Sequence, residues 1–260
     1  MDPTAWVGRD IDGRYLVESV LGVGGMGTVL LAKHRFTGVA VAIKVLRPEL
    51  QSDAGVQERF LAEAQAPNAI GHPAIVKVLD AGRTPEGTLY MAMELLVGRS
   101  LREALARDEL TPDQRKRVVV DLCTVLGHAH ARNFIHRDLK PDNVFLSPAD
   151  EVKLLDFGIA KMLDDVRQLR TAAGVVLGTP AYMAPEQLAD ARNVDARADL
   201  WAIGVMLYEM VTNRLPWAAT APQELLLAVA AGEVTPIRVY VPQVSRDVEM
   251  FFERALARDP

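Results

Sequence analysis

The sequence predicts an α+β protein of two lobes, a small β-rich lobe followed by a larger, mainly helical one. Three observations predict this. Short apolar runs separated by turn residues fill roughly residues 14–97, as strands joined by tight turns do. Beyond residue 100 the apolar residues recur at helical spacing, as in Val118, Leu122, Val125, Leu126 and Ala129. No Ser/Gly/Pro linker, internal repeat or low-complexity segment separates the two textures, so the chain reads as one domain over residues 1–260. Its N-lobe covers about residues 14–97 and its C-lobe about residues 98–260, with a hinge near Glu94–Gly98.

The elements follow in order. Residues 15–17, 28–31 and 39–43 are short apolar runs, and Thr37-Gly38 and Glu86-Gly87 are turns. One helix interrupts the strands: Asp53 is a candidate N-cap, and Val56, Phe60 and Ala64 recur four apart on one face. In the second lobe, residues 198–211 are apolar almost all round, which predicts a helix buried in the lobe's middle.

Composition narrows the function. The chain has 260 residues, enough for a sizeable core, with 50% hydrophobic and 24% charged residues. A net charge of −5 without a run of basic residues argues against nucleic acid or an anionic membrane as partner. The single cysteine, Cys123, precludes an intrachain disulfide, so a reducing, cytoplasmic setting is expected. Lying in the apolar run 118–126, Cys123 is expected to be buried and inert. Residues 1–10 carry no signal pattern, and the most apolar stretch, residues 200–211, is too short to span a bilayer and contains Glu209. No membrane segment is expected.

Gly22-Val23-Gly24-Gly25-Met26-Gly27 matches G-x-G-x-x-G, a pattern that lets backbone N–H groups approach phosphate oxygens. Alone the motif is weak, because glycine-rich turns are common. A dinucleotide-binding turn would need a helix immediately after it. Here residues 28–31 continue as strand and residues 39–45 return as another, so the glycines read as the bend of a hairpin over a nucleotide. The returning strand ends Val41-Ala42-Ile43-Lys44. A lysine there is commonly a solvated strand end, but after a glycine hairpin it can reach phosphate oxygens as a point charge. Such a lysine needs a carboxylate, and Glu58 and Glu63 both lie on the following helix. Glu63, in the helix's second half and nearer a cleft, is the favoured partner.

The most informative stretch is His136-Arg137-Asp138-Leu139-Lys140-Pro141-Asp142-Asn143, whose apolar flanks hold a polar loop at both ends. Asp138 can orient or deprotonate a hydroxyl, Lys140 can neutralise a transferring phosphoryl group, and Asn143 offers a neutral oxygen suited to Mg²⁺. The carboxylate to share that metal is Asp156, which follows an apolar strand and precedes Phe157-Gly158. A phosphate cradle, a lysine, two metal ligands and a positioned base together meet the needs of phosphoryl transfer.

At these residues the chain resembles the protein kinases, in particular the eukaryotic-like serine/threonine kinases of bacteria. The motifs are Leu21-Gly22-x-Gly24-x-x-Gly27-x-Val29, Val41-Ala42-Ile43-Lys44, the 136–143 loop, Asp156-Phe157-Gly158, Ala184-Pro185-Glu186 and Asp199-Leu200-Trp201-Ala202-Ile203-Gly204, in the family's order over residues 14–260. The resemblance implies a two-lobed kinase fold and ATP with Mg²⁺ as cofactors. It implies Asp138 as catalytic base with Lys140 beside it, Asn143 and Asp156 as metal ligands, and Lys44 paired with Glu63. The nucleotide would be held by Leu21, Gly22, Val23, Gly24, Gly25, Met26, Gly27, Thr28 and Val29. The stretch from Glu94 to Leu96 would act as hinge, Val29, Ala42 and Phe145 would sandwich adenine, and Met93 would lie behind it.

Lys140, together with Gly178-Thr179-Pro180, resembles the serine/threonine branch, so protein serine and threonine side chains are the implied acceptors. Thr179 would hydrogen-bond Asp138 and Lys140. Between Gly158 and Gly178 the only hydroxyl residue is Thr171. The resemblance implies that its phosphate would be read by Arg137, with self-association serving autophosphorylation.

Two departures matter. Pro67, one helical turn past Glu63, is expected to kink or end the helix and loosen the Lys44–Glu63 pair. The chain stops at Arg258-Asp259-Pro260, where the family continues with a helix whose arginine pairs with the glutamate at the position of Glu186, so Glu186 is expected to lack that partner. These departures keep a nucleotide-binding pseudokinase or scaffold as the alternative to an active enzyme. A small-molecule phosphotransferase is disfavoured by residues 178–186, which in protein kinases shape a peptide groove.

Overall fold

The computed structural model describes residues 2–157, 180–189, 194–219 and 221–259. Gly158, Thr171, Gly178 and Thr179 lie outside the described residues. The chain divides into two compact units, residues 1–97 and 98–260.

The first unit is a six-stranded antiparallel sheet with one helix. In chain order its strands are β1 (Asp10–Ile11), β2 (Tyr15–Val23), β3 (Gly27–His34), β4 (Ala40–Leu46), β5 (Val78–Arg83) and β6 (Leu89–Glu94), and in the sheet they run β1-β2-β3-β4-β6-β5. Period-two alternation sorts their side chains. Val17, Leu30, Ala32, Val41, Ile43, Val45, Tyr90 and Ala92 pack with Ile11 and Tyr15 into one buried cluster. The register sets Val29 opposite Lys44 and Ala42 opposite Met93, so these four side chains share the other face.

Helix α1 (Ala54–Ile70) begins where the Asp53 carboxylate accepts the Val56 N–H at 3.0 Å. Its buried stripe runs Val56, Phe60, Glu63, Ala64, Pro67 and Ile70. Contrary to expectation, Pro67 does not end the helix. It lacks the N–H that would reach the Glu63 carbonyl one turn back. The helix nevertheless continues to Ile70 and closes at Gly71, which sits in the left-handed region with φ 66° and donates to the Pro67 carbonyl. Burial of Pro67 and Ile70 (1% exposed) outweighs the local preference.

The second unit is mainly helical. Strands β7 (Arg99–Ser100), β8 (Val144–Leu146) and β9 (Val152–Leu154) form a small antiparallel sheet in that order. Among the described residues its helices are α2 (Leu101–Ala106), α3 (Pro112–His130), α4 (Pro185–Ala189), α5 (Arg197–Thr212), α6 (Pro222–Ala231) and α7 (Arg246–Ala255). Capping boxes at Ser100/Glu103 and Thr111/Gln114 start α2 and α3. Helix α5 is the buried element foreseen, although Leu200 and Val211 on it are exposed.

Cys123 overturns its expectation: it is exposed. The α3 core stripe is Val118, Leu122, Val125, Leu126 and Ala129, and Cys123 falls off that period. Partial burial still pushes its thiol pKa upward.

Candidate active site

In the first unit the glycine motif is the bend of the β2–β3 hairpin. Gly22 pairs with Val29 and Val23 with Thr28, and the Gly24 N–H donates to the Gly27 carbonyl at 2.8 Å across the turn. Leu21 and Val23 are exposed, as are Gly24 and Gly25, whereas Gly27 and Thr28 are buried and Met26 is half-buried. Gly27 is required by contact: a Cβ there would lie 2.3 Å from the Val45 carbonyl oxygen of β4. Arg47, just past β4, holds the bend, its N–H reaching the Met26 carbonyl at 3.0 Å and its Nη2 the Gly24 carbonyl at 2.6 Å.

Lys44 projects from β4 on the face shared by Val29, Ala42 and Met93. Its Nζ donates to Glu63 Oε1 at 2.6 Å, and both side chains are almost entirely buried. Glu58, the other candidate, is exposed. A charge pair this far from water is expensive unless its geometry is good, which makes the short contact informative. Pro67, expected to loosen this pair, leaves it formed. Glu94 closes β6 against residue 77: the Lys77 N–H donates to Glu94 Oε1 at 2.9 Å and the Glu94 N–H to the Lys77 carbonyl at 3.0 Å. Leu96 is half-buried two residues later.

In the second unit the 136–143 loop enters the β8–β9 hairpin. Pairing of Val144 with Leu154 brings Asn143, just before β8, alongside Leu155 and Asp156, just after β9. Leu155 is clamped at both ends, its N–H donating to the Asn143 carbonyl at 2.9 Å and its carbonyl 3.0 Å from His136 Nε2. His136 Nδ1 accepts the Asp138 N–H at 3.3 Å, so a neutral imidazole with its proton on Nε2 satisfies both contacts. The ring, fully buried, packs against Phe157 with centroids 4.9 Å apart and the planes tilted by 40°. Asp156, between these anchors, has φ +40°, and Arg137 has φ +65°. Both are non-glycine residues in a costly region, as functional loops tend to show.

The polar groups converge on Asp138. Lys140 Nζ donates to Asp138 Oδ2 at 3.0 Å. Asn143 Nδ2 donates to the Asp138 carbonyl at 2.8 Å and to Oδ2 at 3.2 Å. The asparagine's nitrogen is thereby turned to Asp138, which leaves its carbonyl oxygen as the hard, neutral donor for a cation. Among the described residues no group of three or more His, Cys, Asp or Glu side chains could enclose a metal. The pair Asn143–Asp156 suits instead an ion such as Mg²⁺, which keeps several waters and takes phosphate oxygens as further ligands. Phe145, central in β8, is half-buried between buried Val144 and Leu146.

In the sequence Asp199 stands only within the Asp199–Gly204 motif; the structure gives it a part in the loop. In the first turn of α5 and 1% exposed, it accepts the His136 N–H at 2.9 Å, the Arg137 N–H at 2.9 Å and a contact of 2.7 Å from His130 Nε2. A carboxylate in the first turn of a largely apolar buried helix is the available signal. Arg137 is half-buried, and its guanidinium pKa is lowered by burial, with Asp199 opposing the shift.

Residues 15–260 match the protein kinase domain. The whole chain is 38% identical over 268 residues to the serine/threonine-protein kinase pkn3 of Myxococcus xanthus, of which it covers 49%. It is 43% identical over 252 residues (95% of the chain, 36% of the relative) to Pkn1 of the same organism. With PknB of Mycobacterium tuberculosis the identity is 37% over 251 residues, covering 95% of the chain and 40% of the relative. The chain thus spans at most about half the length of these curated relatives. With a match that takes in both the glycine hairpin with its lysine and the loop around Asp138, the chain belongs to the protein kinase family.

Proposed function

We propose that this chain transfers the γ-phosphoryl group of ATP to serine and threonine hydroxyls of proteins. One observation carries the reading: Lys140 and Asn143 both hydrogen-bond Asp138, while the β8–β9 ladder sets Asp156 next to Asn143. That arrangement combines a base, a cation and a two-ligand metal position within one loop and hairpin, which is what a transfer driven by positioning and electrostatics requires. The bacterial relatives named serine/threonine-protein kinases support the choice of acceptor.

In this reading Asp138 accepts or orients the acceptor hydroxyl's proton, and Lys140 offsets charge developing on the phosphoryl oxygens. Lys44, held by Glu63, binds α- and β-phosphate oxygens, and residues 21–29 cradle the phosphates through backbone N–H groups. Asn143 and Asp156 would hold Mg²⁺, which supplies further neutralisation of the phosphate oxygens when bound. Ala42, Val29, Met93 and Phe145 offer the apolar surface for adenine, and the backbone of Glu94 to Leu96 its hydrogen bonds. The cytoplasm, where ATP is made and used, is the compartment such chemistry calls for. The pseudokinase alternative lacks support, since Lys44, Glu63, Asp138, Asn143 and Asp156 are all present.

Phosphoamino-acid analysis after incubation with Mg²⁺, γ-labelled ATP and a generic protein acceptor tests the reading. Label on phosphoserine and phosphothreonine is expected; label on phosphotyrosine or on a free sugar would contradict it. Thr171 is the proposed site of autophosphorylation between copies of the chain. Autophosphorylation that rises with protein concentration and is lost in Thr171→Ala is expected, and an unchanged rate in that variant would remove the assignment.

A further inference from the structure

Arg137, immediately before Asp138, is held in the left-handed region at φ +65°, where a non-glycine residue persists only if its surroundings over-determine it. Its peptide groups are fixed on two sides. Asp199 accepts its N–H at 2.9 Å. Its carbonyl, which begins the peptide bond to Asp138, accepts from Gln187 Nε2 at 2.8 Å. The other end of the same amide is also used: Gln187 Oε1 accepts the Ala184 N–H at 3.0 Å. Gln187, in α4, thus joins the Arg137–Asp138 peptide to the start of the Ala184-Pro185-Glu186 segment. Arg137, Asp138, Gln187 and Asp199 line a cavity of about 10 Å³, barely room for one water, so little space is left for the peptide to turn.

We propose that Gln187 is a positioning residue for phosphoryl transfer, its amide fixing the Arg137–Asp138 peptide and with it the direction of the Asp138 carboxylate. The inference rests on the function proposed above and deepens it. Two hydrogen bonds from one amide make a coupling: Asp138 is aimed only while the 184–187 segment is seated. Because Gln187 acts on orientation, its loss is felt in the chemical step and leaves nucleotide binding alone.

Three proteins separate this from a merely structural role, namely wild type, Gln187→Met and Gln187→Glu, compared at pH 8 for kcat, KM for ATP, nucleotide Kd and melting temperature. Met keeps the length and loses both bonds. Glu keeps the acceptor for Ala184 but, ionised, cannot donate to the Arg137 carbonyl. Both variants are expected to lose about tenfold or more in kcat, with KM for ATP and nucleotide Kd within about twofold of wild type. Full activity in Gln187→Glu would show that only the Ala184 bond matters and would overturn the proposal. Wild-type activity in Gln187→Met would overturn it, and so would parallel loss of ATP binding and activity, which marks a collapsed fold. An inactive wild type would sink the proposed function and this inference together, whereas an active wild type with indifferent variants sinks this inference alone.

Discussion

Lys44 and Glu63 carry the sharpest residue-level claim. Their 2.6 Å contact is buried, so removing one partner takes from the other's buried charge its close counter-ion, at a cost of about 3–5 kcal/mol. Lys44→Met should lower the urea midpoint and reduce phosphoryl transfer by at least about 100-fold. Lys44→Met combined with Glu63→Leu should recover much of the stability and none of the activity, because two apolar groups can replace a buried pair but cannot bind phosphate. Unfolding curves alongside transfer rates check both halves. At this scale the sequence is informative wherever a side chain's own chemistry is proposed to act: Lys44, Glu63, Asp138, Lys140, Asn143 and Asp156 are all legible in it, and the structure supplies the contacts among them. Gln187 and Asp199 act instead by receiving or capping backbone groups. Such work leaves little signature in residue type: for Asp199 a carboxylate in the first turn of a largely apolar helix, for Gln187 none.

Among the elements, α5 and α1 show where sequence rules held and where packing overrode them. The apolar run of α5 announced a buried helix, but not that its first-turn Asp199 secures the N–H groups of His136 and Arg137. Asp199→Asn keeps the volume and supplies one acceptor oxygen where three donors converge. It should cost about 1–3 kcal/mol in unfolding free energy and lower kcat more than tenfold. Chemical denaturation and steady-state kinetics on one preparation would measure both, and a variant as stable and active as wild type would contradict the anchoring role. In α1 the rule that proline ends a helix lost to the burial of Pro67 and Ile70 and to the Gly71 cap. Pro67→Ala restores an N–H toward the Glu63 carbonyl, so it should raise the unfolding free energy, and with it the urea midpoint, by about 1–2 kcal/mol, less what the lost ring packing takes back. A lower midpoint would mean that the ring's packing dominates. Cys123 shows the opposite: its sequence neighbours are apolar, but the helical period places it off the buried stripe.

Across the whole molecule, the division into two compact units at residues 97 and 98 assigns different work to each. The first holds the glycine hairpin and the buried Lys44–Glu63 pair, while the second holds the proposed base Asp138, its lysine and the two candidate metal ligands. The change of texture near residue 98 made this organisation legible before any coordinates, because strand and helix periods differ so plainly. What the sequence could not supply was the closeness of Asn143 to Asp156, which depends on the register of a three-residue ladder. The central claim is that Asp138, served by Lys140 and Asn143, performs Mg²⁺-dependent transfer from ATP. Its most direct test is the rate of label transfer from γ-labelled ATP to protein for wild type and Asp138→Asn, with Mg²⁺ and again with the metal chelated. The account predicts transfer by wild type with Mg²⁺, its loss on chelation, and a fall of about 10²–10⁴-fold in Asp138→Asn with ATP binding retained. Equal rates in wild type and Asp138→Asn, or transfer indifferent to the metal, would contradict it.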